Sequence, residues 1–158
     1  MPGGRIQPGG GIAVDDLPRA AGTYILVMRA RQAAAVQIGR LGLLHLQPGW
    51  YLYTGSAFGP GGLRGRLGHH LAHAAHPRWH VDYLRVVCEL AEIWYSTDAQ
   101  RLEHVWGQNL CAQAGFSPPL ARFGASDCAC PAHLVYCAEE ASLLRLADQL
   151  PGFGGQLD

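Results

Sequence analysis

Residues 22–28, Gly-Thr-Tyr-Ile-Leu-Val-Met, form a short, continuous apolar run rich in β-branched and aromatic side chains, which predicts a buried strand. Residues 34–39 give a second strand, and the Pro48-Gly49 turn leads into a third over residues 50–55, where the two-residue period sets Tyr51 and Tyr53 on one face. The three read as a meander. After a Gly/Pro loop at 58–62 the period changes, and Leu63, Leu67, Leu71 and Ala74 predict a helix over about 62–75, with Arg66, His70 and His73 as a neighbouring stripe. Residues 79–83 alternate, and 86–96 predict a fourth strand. Thr97 or Asp98 then caps a helix whose core stripe is Leu102, Val105, Trp106 and Leu110, with Glu103 at its edge and Ala114-Gly115 at its end. Residues 133–138 predict a last short strand. Residues 139–150 predict an amphipathic helix with Leu143, Leu144, Ala147 and Leu150 inward. The pattern gives a mixed chain of short strands and helices with a β-meander at its front.

At 158 residues and 49% hydrophobic, the chain has the size of one domain with a core of its own. Gly/Pro-rich residues 1–16 read as a flexible tail, 17–150 as the single domain and 151–158 as a C-terminal tail. Apolar stretches break well short of the roughly 20 residues of a membrane span, and the start lacks a signal-peptide pattern, so a cytoplasmic location with no membrane partner is expected. Five cysteines fit reduced thiols in such a compartment. The 12 basic residues, all arginines, balance 12 acidic ones. Zero net charge excludes a strong sequence-blind nucleic-acid clamp while leaving room for a local phosphate site, to which guanidinium groups are suited. The absence of lysine also fits codon bias.

The candidate chemistry lies in the order of several short motifs. Gly22-Thr23-Tyr24 on the first strand and Tyr53-Thr54-Gly55 on the third are followed by a Gly-rich loop, Leu63-Arg64-Gly65-Arg66-Leu67 with His70 beyond, and Glu103 on a later helix. This ordered set resembles the GIY-YIG nuclease superfamily. The strings Trp79-His80-Val81-Asp82-Tyr83-Leu84 and Phe123-Gly124-Ala125-Ser126-Asp127-Cys128-Ala129-Cys130-Pro131-Ala132-His133-Leu134 are similar to a branch of it long catalogued as a domain of unknown function. In some genomes that branch is joined to an endonuclease III-like DNA glycosylase, a DNA-repair enzyme and hence a candidate partner.

The resemblance implies a small α/β (α+β) fold, a central antiparallel three-stranded sheet flanked by helices, and phosphodiester hydrolysis dependent on one divalent metal, with DNA as the expected substrate. It makes Glu103 the ligand of Mg²⁺ or Mn²⁺, Arg66 the donor to the scissile phosphate, and Tyr24 and Tyr53 the phenols that activate or orient water. His70 is then a proton-transfer or phosphate-contact group, and Gly22 and Gly55 are the motif glycines. Physically, one carboxylate suffices for an ion that keeps several waters. A tyrosine base needs its pKa of about 10 lowered by a cation. Arg64, Arg66, His69 and His70 are expected to make a local positive rim, joined by Arg40 or Arg78 if the fold brings them near. The superfamily often carries an Asn well downstream of the metal Glu. Here the only Asn, Asn109, lies six residues beyond Glu103, and Ser126, Asp127 or His133 on the active-site rim are candidates for that place.

Two other readings keep this fold. The chain is then an interaction module for nucleic acid or protein without turnover, or a zinc-stabilised structural module. Cys128, Cys130 and His133 have zinc-ligand spacing but make only half a site, with Asp127 or another residue needed to complete it. The histidines at 69, 70, 73, 76 and 80 read as a solvated, pH-sensitive face.

Overall fold

The computed structural model describes residues 3–6, 13–72, 77–125, 132–150 and 153. The elements run β1 (Gly3–Ile6), a 3-10 turn (Val14–Asp16), β2 (Gly22–Ala30), β3 (Ala34–Ile38), β4 (Gly42–Leu46), β5 (Gly49–Ala57), α1 (Gly62–Leu71), α2 (His80–Arg85), β6 (Glu89–Ser96), α3 (Glu103–Ala112), β7 (Leu134–Cys137) and α4 (Glu140–Ala147).

The mixed α/β class agrees with the sequence, but the main sheet has five strands rather than three, in the order β1-β6-β2-β5-β7, with every pairing antiparallel. The apolar run of β2 explains its central place. Tyr24, Leu26 and Met28 enter one apolar layer while Ile25 and Val27 enter the other, so both faces of the strand need covering. The first layer is closed by Leu63 and Leu67 of α1, Val81 and Leu84 of α2, and Leu44 of β4. The second is closed by Trp106 and Leu110 of α3 and Leu143 and Leu146 of α4.

Four expectations are corrected. The strand at 34–38 does not enter the main sheet. It pairs with β4 in a separate two-stranded hairpin, while β2 pairs directly with β5 from Gly22↔Ala57 to Ala30↔Gly49. Gly39 and Gly42, both at positive φ, make the turn of that hairpin and are its signal in the sequence. The expected tail at 1–16 supplies edge strand β1, pinned where Arg5 forks onto Glu92 with Nε–Oε2 at 2.8 Å. Residues 79–83 are not extended, since α2 begins at His80. The Asp82 carboxylate accepts the backbone N–H groups of Arg78 and Trp79 at 2.8 and 2.9 Å, a local cap that outweighs the apolar alternation. Neither Thr97 nor Asp98 caps α3: Asp98 closes a turn onto Gln100 N–H, and the helix starts at Glu103.

Among the described residues, which leave out Ala74, side-chain positions on the helices follow the predicted stripes with two exceptions. Val105 and Leu144 are exposed, and Leu146 takes the inward place expected of Leu144. No helix among the described residues is long and apolar enough to cross a membrane.

Candidate active site

The pairing of β2 with β5 places Tyr24 opposite Gly55. A Cβ on Gly55 would stand 2.4 Å from the Tyr24 hydroxyl, so the phenol occupies the space that the missing side chain leaves. Gly22 is constrained in the same way, because its Cβ would meet the Ser96 carbonyl oxygen at 2.1 Å. The two motif glycines therefore serve close approach. Tyr24 is fully buried, and its hydroxyl lies 2.7 Å from Nε2 of His70, which is 2% exposed on α1.

A cleft of about 370 Å³ opens in front of Gly55, lined by Tyr53, Ser56, Arg66, Trp79, Arg101, Glu103, His104, Gly124 and His133. Tyr53, Arg66 and Glu103 thus meet on one concave surface from three separate elements, with Tyr24 and His70 behind it. Glu103 reaches the cleft because α3 is tied to β2 at its start, where Leu102 N–H donates to Thr23 Oγ1 at 3.1 Å. Ser56 Oγ donates to Glu103 Oε2 at 2.7 Å, and Nδ1 of His133 lies 3.0 Å from Oε1. Burial raises the pKa of Glu103, but the bonds from His133 and Ser56, with the charge of His133 and His104, outweigh it and leave the group below the usual carboxylate value. The result is an ionised side chain still 20% exposed.

The phenols are shifted the other way. Desolvation, and then the proximity of Tyr53, raise Tyr24 well above a free phenol despite the lowering influence of Arg66. Desolvation, and then the Glu103 charge, raise Tyr53 likewise. Both are phenols at neutral pH. The pKa of His70 is lowered, first by burial, against the opposing pull of Asp82, so it is a neutral imidazole. On the same side Asp82 Oδ2 accepts from His69 Nε2 at 3.1 Å, and Oδ1 lies 3.8 Å from Nδ1 of His70. Burial works against the Asp82 charge, but the nearby His70 imidazole and the bonds from Trp79, Arg78 and His69 hold the carboxyl far below its usual range.

A second cleft of about 360 Å³ adjoins the first, sharing Arg66 and Trp79 and adding His69 and Arg78. The Arg66 guanidinium lies 4.4 Å from the Trp79 ring centroid and that of Arg78 5.0 Å, cation–π contacts of about 0.5–2 kcal/mol that hold both charges at the groove. Arg64 is not in this rim. Its guanidinium donates to the Leu17 and Asp15 carbonyls and ties down the segment before β2. Arg40 lines neither cleft, whereas Arg101 lines the first. The start of α1 offers no free amides, because Leu63 N–H and Arg64 N–H donate to Ala20 and Pro18 carbonyls.

Of the expected rim loop, Ser126 and Asp127 lie outside the described residues, as do Cys128, Cys130 and His73. His133 is described, and its Nδ1 faces Glu103. The described start of the loop is seated from the other motif string: His80 Nδ1 accepts Gly124 N–H at 2.8 Å, and Phe123 packs edge-on against both Tyr53 and His80. Gly124, at φ +71°, is where a Cβ would strike the Tyr53 ring at 2.8 Å.

Sequence reasoning left Ser56, Trp79, His80, Asp82, Arg101 and His104 without roles at the site. Asp82 had a signal, being three residues after the N-cap Trp79, the spacing of a carboxylate that caps a helix start. Ser56 had one in its place next to Gly55, where alternation turns it to the α3 face. Comparison with curated proteins and with solved structures finds no significant match. A family model described as "Domain of unknown function DUF123" matches residues 23–152, most of the chain and all of the site's elements. The protein belongs to the DUF123 family.

Proposed function

We propose that this protein is a divalent-metal-dependent endonuclease of the GIY-YIG type, acting on DNA. The observation that carries the reading is the meeting of Tyr53, Arg66 and an ionised, oriented Glu103 in one open cleft, with the Tyr24–His70 pair behind it. Hydrolysis of a phosphodiester needs an activated water, neutralisation of charge on the phosphoryl oxygens and a fixed phosphate. Arg66, propped on Trp79, donates to the scissile phosphate. Tyr53 orients the attacking water from the cleft wall, and Tyr24 takes its proton as its own hydroxyl proton passes to neutral His70.

Glu103 fits the metal role because its charge is secured by side chains that leave it partly exposed, and one carboxylate is enough for Mg²⁺ or Mn²⁺, which retain waters. Bound there, the ion supplies charge that offsets the negative phosphoryl oxygens. His133 takes the supporting place for which the chain has no well-spaced Asn, orienting Glu103 through its imidazole. Arg66, Arg78, Arg101 and His69 supply a local positive groove on a chain of zero net charge, so binding is weak and salt-sensitive.

The test is a nicking assay on supercoiled, single-stranded and branched DNA with Mg²⁺ or Mn²⁺. Metal-dependent nicking that stops on chelation without unfolding supports the reading. Binding of the same DNA without cleavage in either metal removes it in favour of an interaction module. Stoichiometric zinc whose removal unfolds the protein favours the structural module instead.

A further inference from the structure

We infer that Asp82 is a positioning residue of this site, acting through His70 so that Tyr24, His70 and Asp82 form a buried proton relay. The inference rests on the reading of the cleft as a nuclease site, but it concerns a residue outside the superfamily set and outside the cleft lining.

The geometry assigns the direction of the relay. A neutral imidazole carries one N–H, and which nitrogen bears it is set by what faces the other. Nε2 of His70 faces the Tyr24 hydroxyl at 2.7 Å. Nδ1 is buried without a hydrogen-bond partner, and the atom turned to it is Asp82 Oδ1 at 3.8 Å. A carboxylate so placed repels a bare nitrogen lone pair and favours the tautomer with its proton on Nδ1. That leaves Nε2 bare, so the Tyr24 hydroxyl donates to it. The remaining groups around His70 are Tyr53 on β5, His69 and Arg66 on α1, Trp79 just before α2 and Arg85 on it, with Arg85 Nε donating to the His70 carbonyl at 3.2 Å. None of them is a carboxylate. The anion beside His70 is Asp82 alone among these neighbours.

The proton accounting closes on this chain's own groups. As water attacks phosphorus, its proton passes to the Tyr24 oxygen while the Tyr24 proton passes to His70 Nε2. The new P–O bond forms, the ester P–O bond breaks, and the leaving oxygen takes a proton from solvent. His70 is then an imidazolium facing Asp82, which offsets its charge, and the proton returns through Tyr24 to solvent. The carboxylate plays the part of the Asp in a Ser-His-Asp triad, fixing a tautomer and stabilising an imidazolium without being protonated itself.

His69, His70 and Asp82 also have ligand atoms within 4.8 Å of one another, a spacing that a metal ion spans. Asp82 Oδ2 already accepts three donors, however, and a metal on Nδ1 leaves the proton on Nε2, where it blocks transfer from Tyr24.

The test is Asp82→Asn in the full chain. Its side-chain oxygen still accepts the Arg78 and Trp79 amides, but its NH₂ presents a donor to Nδ1 and so inverts the tautomer. Nicking should lose about 10²–10⁴-fold in kcat, the range of general acid–base catalysis, with KM for DNA changed less than about threefold. Nitrogen-15 NMR of the imidazoles should show His70 protonated on Nδ1 in the wild type and on Nε2 in the variant. An unchanged kcat, a wild-type His70 protonated on Nε2, or a metal ion retained by His69, His70 and Asp82 overturns the inference. The wild-type tautomer is readable without activity or any variant, so it decides the inference even where Asp82→Asn fails to fold. A wild type that cuts no DNA instead removes the nuclease reading.

Discussion

Asp82, buried, and Glu103, partly buried, are both carboxylates facing a histidine, yet they are held in opposite ways. Asp82 is anchored by two backbone amides that begin α2 and by His69, and it lines neither cleft. Glu103 is held by the side chains of Ser56 and His133 and lines the first cleft. Backbone anchoring makes a carboxylate part of the fold. Side-chain anchoring leaves it separable from the fold and available to a ligand. On the proposed reading, one residue sets the state of a buried neighbour and the other meets metal and substrate.

The sharpest way to break this comparison is to truncate each side chain. Asp82→Ala leaves two amides and His69 without their acceptor, so it should cost about 2–4 kcal/mol in urea unfolding, against about 1 kcal/mol for Glu103→Ala. Equal losses, or a larger one at Glu103, would mean that the two anchorages are not different in kind. Gly55→Ala sharpens the same contrast from between the two sites. Its Cβ must displace the Tyr24 phenol, with an expected loss of about 1–3 kcal/mol and a changed His70 imidazole signal, while the Glu103–Ser56 bond is spared.

How much of this was legible in the sequence depends on how local each signal was. The apolar run of β2 and the start of the helix predicted over about 62–75 follow from period, Tyr53, Arg66 and Glu103 from the resemblance, and the cleft does bring those three together. Strand pairing was not legible, because β2 skips the adjacent hairpin to pair with β5, and nothing local states which partner a buried strand takes. The short β1 hid in Gly-rich sequence, and its pairing with β6 rests on a residue pair 87 apart, Arg5 with Glu92. Arg64 illustrates the converse, a motif arginine that looked fit for phosphate and instead ties down backbone.

The smallest effect is on the pH dependence of stability. Glu103 and Asp82 have folded pKa values below their ordinary ones, so each stabilises the fold above about pH 4, and that contribution fades as pH falls through the folded values. His70 is likewise depressed. Its contribution is complete above about pH 6.5 and is lost as pH falls below that, because the unfolded chain binds the proton first. Stability should therefore begin to decline near pH 6.5, before the carboxylates titrate, and His70→Gln should shrink that early slope to the share of His80, which burial also lowers. A wild-type curve flat from pH 7 to 5 would show that His70 does not stay neutral in the fold.

The central claim is that Glu103 serves a metal-dependent cleavage of DNA, and the most direct measurement is the single-turnover nicking rate against Mg²⁺ concentration for the wild type and Glu103→Gln. The wild-type rate should rise to saturation. The variant, folded to the same thermal midpoint within a few degrees, should be slower by at least about 10²-fold at every concentration, the scale of losing one stabiliser of transition-state charge. Matching rates in the two proteins, or wild-type nicking indifferent to Mg²⁺, would contradict the assignment.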